Sequence, residues 1–208
     1  MKLIKVLILG LLSYLPTAWA ASENFNIKYS SNYLMPAYVH FKSADSQYTI
    51  TANINVPLYK IQFTTQGYQR NNQFNMLSYR DSRNGKDYAT ARIDMNTIQY
   101  GKVKEQKTET FTLPTFDLFS VAFQLSYYDK LPANFQITNG KKLYPMKNVR
   151  LQTSRKTLSN GIEEITYKFS TGDKDMMVKK HKGEKFPRFI SYSRDGDDYE
   201  LTFSEFVK

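Results

Sequence analysis

Tyr48-Thr49-Ile50-Thr51-Ala52-Asn53-Ile54-Asn55-Val56 alternates apolar and polar side chains without a break. Successive side chains of an extended strand point to opposite faces, so one face of this stretch is dry and the other wet. A strand of that kind belongs to an antiparallel sheet with one buried side. After Pro57 the period resumes, with Tyr59, Ile61 and Phe63 set against Lys60, Gln62 and Thr64. Outward from here, from Phe25 on, the same period predicts strands over Phe74–Arg80, Tyr88–Met95, Thr97–Val103 and Glu109–Leu113. In the second half it predicts Phe135–Thr138, Lys147–Thr153, Glu164–Phe169, Met176–Lys180, Phe189–Ser193 and Tyr199–Phe203. Between strands stand Asn84-Gly85, Asn139-Gly140, Asn160-Gly161 and Asp195-Gly196, dipeptides that accept positive φ and favour tight hairpins. The expected fold is mainly β: a single curved antiparallel meander that hides its dry face by closing into an open or partial β-barrel. A two-sheet sandwich is the competing architecture.

Phe116–Asp129 breaks the period of two. Thr115 reads as its N-cap, Asp117 stands in the first turn near the positive end of the helix dipole, and Leu131-Pro132 follows its end. Phe116, Phe119, Phe123 and Tyr127 fall on one flank at helical spacing, with Leu118, Val121, Ala122 and Leu125 beside them. Only Asp117, Ser120 and Gln124 form a polar stripe. A helix apolar around most of its circumference is buried on most sides. This one is expected to be buried against the sheet, near residues 116–129.

The N-terminus carries a different signal. Lys2 and Lys5 precede the short apolar run Val6–Leu15, and Ala18-Trp19-Ala20 supplies small residues for cleavage before Ala21. Residues 1–20 therefore read as a cleaved signal peptide and 21–208 as one β-barrel-like domain. No later segment approaches the roughly 20 apolar residues of a membrane helix, so no transmembrane segment is expected in the mature chain. The chain has no cysteine, which removes disulfides, thiolate catalysis and Cys-ligated metal sites. An exported, disulfide-free chain fits the periplasm of a Gram-negative bacterium. The formal charge is +10, falling to +8 once Lys2 and Lys5 depart. Basic residues crowd Lys141, Lys142, Lys147, Arg150, Arg155 and Lys156, and again Lys179, Lys180, Lys182, Lys185 and Arg188. After export they read first as a solvated basic face that keeps the protein soluble, and second as a contact for an anionic envelope surface rather than nucleic acid.

No catalytic constellation emerges. His40 and His181 are far apart, no G-x-S-x-G elbow marks a nucleophile, and both histidines read as ordinary surface residues. Asp195, Asp197 and Asp198 around Gly196 lack the ligand spacing and terminal Glu of a calcium loop. No cofactor or metal is expected. The candidate ligand contacts lie on the helix: Phe119, Phe123 and Tyr127 as apolar contacts, and Asp117, Ser120 and Gln124 at the mouth of a cavity. The plainer reading of those three is that they cap the helix and bond to nearby strand ends.

Four stretches together resemble exported bacterial proteins grouped as domain of unknown function 3108. They are Tyr48–Val56 with the strand running to Gly67, Asn75-Met76-Leu77-Ser78-Tyr79-Arg80, the helix start Asp117-Leu118-Phe119-Ser120, and the closing Phe186-Pro187. The resemblance implies export and a β-rich fold, and carries no established activity or catalytic residue. The expected function is non-enzymatic: binding of a lipid or other amphipathic envelope molecule in the apolar interior of the barrel. The alternatives are an envelope assembly or scaffold protein acting through its surface, and a hydrolase of cell-wall glycans with two facing carboxylates.

Overall fold

A computed structural model describes residues 22–208, apart from Leu34, Asp173, Asp195 and Gly196. The expected signal peptide, its cleavage residues Ala18, Ala20 and Ala21, and the Asp195-Gly196 turn lie outside the described residues. The first meander comprises β1 (Glu23–Ser31), β2 (Ala37–Ala44), β3 (Gln47–Val56), β4 (Tyr59–Arg70), β5 (Gln73–Arg83), β6 (Lys86–Asp94), β7 (Thr97–Lys102) and β8 (Glu105–Thr110). A middle segment follows, with β9 (Thr115–Phe116), α1 (Leu118–Tyr128), β10 (Phe135–Thr138) and β11 (Leu143–Met146). The second meander comprises β12 (Gln152–Thr157), β13 (Glu163–Thr171), β14 (Lys174–His181), β15 (Phe189–Arg194) and β16 (Asp197–Phe206).

β16 returns to pair antiparallel with β1, which fuses the two meanders into one sheet of 13 strands. The sheet is an open, partial barrel, with β8 and β12 as its edges among the described residues. Their composition explains why they stay apart. Glu105-Gln106-Lys107-Thr108-Glu109-Thr110 and Gln152-Thr153-Ser154-Arg155-Lys156-Thr157 are charged and almost wholly exposed, a pattern that blunts strand-to-strand association. The middle segment carries the chain from one edge to the other and adds a small sheet, in which β10 pairs with β9 and β11.

The alternation read from Tyr48–Val56 sets the inner face: Tyr48, Ile50 and Ala52 are buried, as are Ala37, Val39 and Phe41 opposite them. Asn84 and Gly85 both take positive φ (49° and 77°), as a two-residue hairpin of this twist demands. Asn71 and Asn72 do the same between β4 and β5 without any glycine. α1 packs on the inner face against β5, β9 and β14. Phe123 stacks on Phe41 at 4.7 Å and 13°, while Phe74 meets Tyr127 edge-on at 5.3 Å and 84°.

Three expectations are corrected. The N-cap is Asp117 rather than Thr115, because Thr115 and Phe116 pair with β10 and are extended. No strand spans Lys147–Thr153: β11 ends before it and β12 begins within it, with Asn148 turned to φ 53° between them. The strand expected at Glu109–Leu113 forms earlier, as β8, in register with β7.

Candidate functional site

Two bulges shape the region where β4, β5 and β6 meet. Register between β4 and β5 shifts at Gln66/Gly67, leaving Leu77 as the extra residue; it is 46% exposed. The shift lets Phe74 and Met76 face inward on one side of it, and Tyr79 and Asp81 on the other. At Gly67 an added Cβ would lie 2.0 Å from the Asn75 carbonyl oxygen, so only glycine fits this approach. Between β5 and β6 the register shifts at Asp81/Ser82, leaving Tyr88 as the extra residue. Asp81 and Ser82 are both buried in consequence, and Arg83 turns back onto Asp81.

A cavity of about 590 Å³ lies between this part of the inner face and the start of α1. Ile54, Ile61, Phe63 and Leu201 line it from the sheet and Leu118 from the helix, all only half-buried. Ile190 and Phe119 complete the apolar wall. The lining reaches from β5 to β15 by way of β16, β1, β2, β3 and β4. From β5 to β16 is five strand spacings, roughly 24 Å along the sheet.

Polar groups gather at its two sides. On β5, Arg83 Nε and Nη2 donate to the two Asp81 carboxylate oxygens at 3.2 and 3.1 Å. The same guanidinium lies 3.9 Å from the centre of the Tyr88 ring, and Lys141 Nζ lies 5.7 Å from that centre. Gly140 sits against Tyr79 and Ala89 with φ 79°, and its carbonyl accepts from Gly101 N–H at 2.8 Å; this contact holds the β10–β11 loop, and with it Lys141, over the sheet. On the far side Glu200 N–H donates to Asn32 Oδ1 at 3.0 Å.

Asp117, like Asp81, is a buried acid of the wall, 2% exposed. Oδ1 accepts from Ser120 N–H at 2.8 Å, Thr65 Oγ1 donates to Oδ2, and Ser120 Oγ accepts from Asp117 N–H at 2.8 Å, forming a capping box. Desolvation by burial raises its pKa from 3.8 to about 6, against the lowering effect of the Ser120 and Phe119 hydrogen bonds. Its charge and burial together push the phenols of Tyr48 and Tyr79 upward, burial being the larger cause.

Of the helix residues singled out in the sequence, Asp117 and Phe119 line the cavity. Ser120 belongs to the cap. Phe123 is fully buried in the aromatic core, and Tyr127 packs on Phe41 and Phe74 and donates to Glu23. Gln124 is 1% exposed: its Oε1 accepts from Phe74 N–H at 2.8 Å and its Nε2 donates to the carbonyls of Asn72 (3.1 Å) and Lys130 (3.0 Å). Arg83, Lys141, Ile54 and Phe63 are among the lining residues that the sequence reading did not assign to a site. The inward phase of the Tyr48–Val56 period already marks Ile54, whereas Arg83 depends on a bulge with no local signature. His40 bonds Asn24 at 2.7 Å and His181 Nδ1 stands 3.6 Å from Glu184, on separate strands.

The two basic clusters differ. Lys179, Lys180, Lys182, Lys185 and Arg188 each pair with a carboxylate: Glu164, Asp129, Glu163, Glu23 and Glu184 in turn. In the other cluster Arg155 pairs with Glu163, while Lys141, Lys142, Lys147, Arg150 and Lys156 have no ion pair among the described residues. Among those residues no group of three or more His, Asp or Glu converges as a metal site, and no helix is long and apolar enough to cross a membrane. Set against models of known families, curated proteins and solved structures, the chain matches none of them.

Proposed function

We propose that this protein binds one amphipathic or apolar molecule in the cavity under the start of α1, without transforming it. The observation that carries this reading is a 590 Å³ cavity walled by half-buried Ile54, Ile61, Phe63, Leu118 and Leu201. Its volume is that of ligand sites, about 300–1,000 Å³, and a filled interior would leave no such apolar wall uncovered. Of the three carboxylates that line the cavity, Asp81 is engaged by Arg83 and Asp117 by the helix cap, with Glu200 across the sheet from both, an arrangement that favours binding over general acid–base chemistry. A surface-acting scaffold wants one broad apolar patch. The most exposed apolar side chains, Leu58 and Met95, instead cap the β3–β4 and β6–β7 turns, at opposite ends of the meander. Export to a Gram-negative periplasm, an envelope lipid as ligand, and kinship with domain of unknown function 3108 belong to the same reading. They rest on Val6–Leu15 with Ala18 and Ala20, and on the four stretches quoted for the resemblance.

Native mass spectrometry of protein purified without detergent tests it. A lipid-sized adduct is expected, and added laurate or dodecanol should raise Tm by a few degrees through binding to the folded state alone. Ile54→Trp, which fills the cavity, should keep the fold and abolish that rise. Absence of any adduct together with no stabilisation by either probe would end the proposal.

A further inference from the structure

We infer that the β5 side of the cavity is a head-group subsite for a negatively charged, single-chain amphiphile, recognised by Lys141 and Arg83 with the chain laid toward β16. The inference rests on the cavity reading above and adds the ligand's charge and direction. Lys141 and Arg83 both line the cavity and share one aromatic ring, Tyr88, at 5.7 and 3.9 Å. That ring is the extra residue of a bulge, and bulges beside sites re-aim side chains in this way. Arg83 is fixed by both Asp81 oxygens, so it is a pre-ordered donor rather than a roaming one. Among the described residues Lys141 has no carboxylate partner, and its position is set by the Gly140 contact rather than by a charge.

The surroundings reinforce the sign. Asn84 N–H donates to the Lys60 carbonyl and Lys60 N–H to Asn84 Oδ1, both at 2.8 Å, which ties the β4 end to the turn after Arg83. Lys60, Lys86 and Lys142 are exposed here and unpaired among the described residues. The nearby acids are occupied: Asp81 by Arg83, Asp117 by Ser120 and Thr65, and Asp87 by Ser82 at 2.7 Å. Across the sheet the polar lining residues Ser31, Asn32, Tyr33, Tyr192, Tyr199 and Glu200 include no Lys or Arg, so an anion is drawn to one side only. The apolar wall between them accepts an extended hydrocarbon chain. Because the recognised chemistry is an anionic head, carboxylate and phosphate monoester both qualify.

Affinity for four probes with the same chain separates the outcomes: laurate, dodecyl phosphate, dodecanol and dodecyltrimethylammonium, with inorganic phosphate as the chainless control. The anionic amphiphiles should bind roughly tenfold tighter than dodecanol at low salt, the increment of about one charge-assisted contact. Raised salt should shrink that gap, and inorganic phosphate alone should not bind measurably. Stronger binding of laurate points to a carboxylate source, and of dodecyl phosphate to a phospholipid-type head; either supports the subsite. Lys141→Glu should reduce the anion-to-dodecanol ratio to about one while the ligand-free Tm stays unchanged. Equal affinity for anionic and neutral probes, preference for the ammonium, or an unaltered ratio in Lys141→Glu overturns the subsite and leaves the cavity reading intact. Failure of every amphiphile to bind overturns both.

Discussion

Asp117 caps the helix and, through its burial, ties the stability of the fold to pH. Its capping role needs an oxygen acceptor at the first turn, and its burial makes the charged form expensive. With a folded pKa of about 6 against an ordinary 3.8, the folded state holds a proton that the unfolded chain has released across that window. Stability therefore falls as pH rises from about 4 to about 6, by an amount on the order of 3 kcal/mol. Asp129 and Glu184 act with the opposite sign. Burial would raise both, but hydrogen bonds from Lys180 and Tyr167 to Asp129, and from Arg188 and His181 to Glu184, hold them low, so their stabilisation is lost as pH falls. Asp117→Asn keeps a good capping residue and removes the titration. We expect it to melt higher than the native sequence at pH 7 and alike near pH 4. Parallel Tm-versus-pH curves for the two proteins would refute the assignment. Sequence inspection singled out Asp117 because it interrupts an apolar helix; its contact with Thr65 on β4 has no local trace.

α1 illustrates the same division one level up. Leu118–Tyr128 holds a Val, two Ser and several aromatics, and at 11 residues is too short to be stable alone. Its stability comes from polar pins as much as from rings. Gln124 satisfies Phe74 N–H and two carbonyls; Tyr128 donates to Gln69 at 2.6 Å. At the C-terminal end, buried Lys180 donates to the Ser126 carbonyl at 2.7 Å and meets Asp129 at 2.6 Å, neutralising the negative pole of the helix. These pins fasten the C-terminal half to β5, β4 and β14, while the N-terminal end roofs the cavity. Gln124→Leu keeps the bulk but strands the buried Phe74 N–H and takes the partner from two part-buried carbonyls. It should lower urea-unfolding stability by roughly 2–4 kcal/mol, with the m-value retained. A loss below about 0.5 kcal/mol would mean that the helix is held by packing alone. The narrow polar stripe was legible as a buried feature; which strand each amide would reach was not.

At the scale of the whole molecule, the decisive contact is the pairing of β1 with β16. Ile27 faces Phe206 and Ser31 faces Leu201, so residues from opposite ends of the chain occupy neighbouring strands in the middle of the sheet. Without that seam the two meanders would each bare an unpaired strand, and α1, which packs on β5 of one and β14 of the other, would no longer have both held in one sheet. Removing residues 197–208 should therefore abolish the cooperative thermal transition, seen by circular dichroism, rather than lower it slightly. A truncated chain that still melts sharply near the full-length Tm would show the meanders to be independent. The meander itself was legible from period and turn residues. The seam was not, because no turn chemistry links strands so far apart in sequence.

Local chemistry thus decided the class of this protein. Side-chain alternation, Asx-Gly turns and the apolar run at Phe116–Asp129 act over a few residues, so the sequence alone dictates strands, hairpins and one buried helix. Tertiary structure decided where a ligand could go. The bulges at Leu77 and Tyr88, the β1–β16 seam and the gap beneath Leu118 depend on register between strands distant in the chain. A register shift of one residue exchanges inner for outer face, and that choice is made by the packing of the whole sheet.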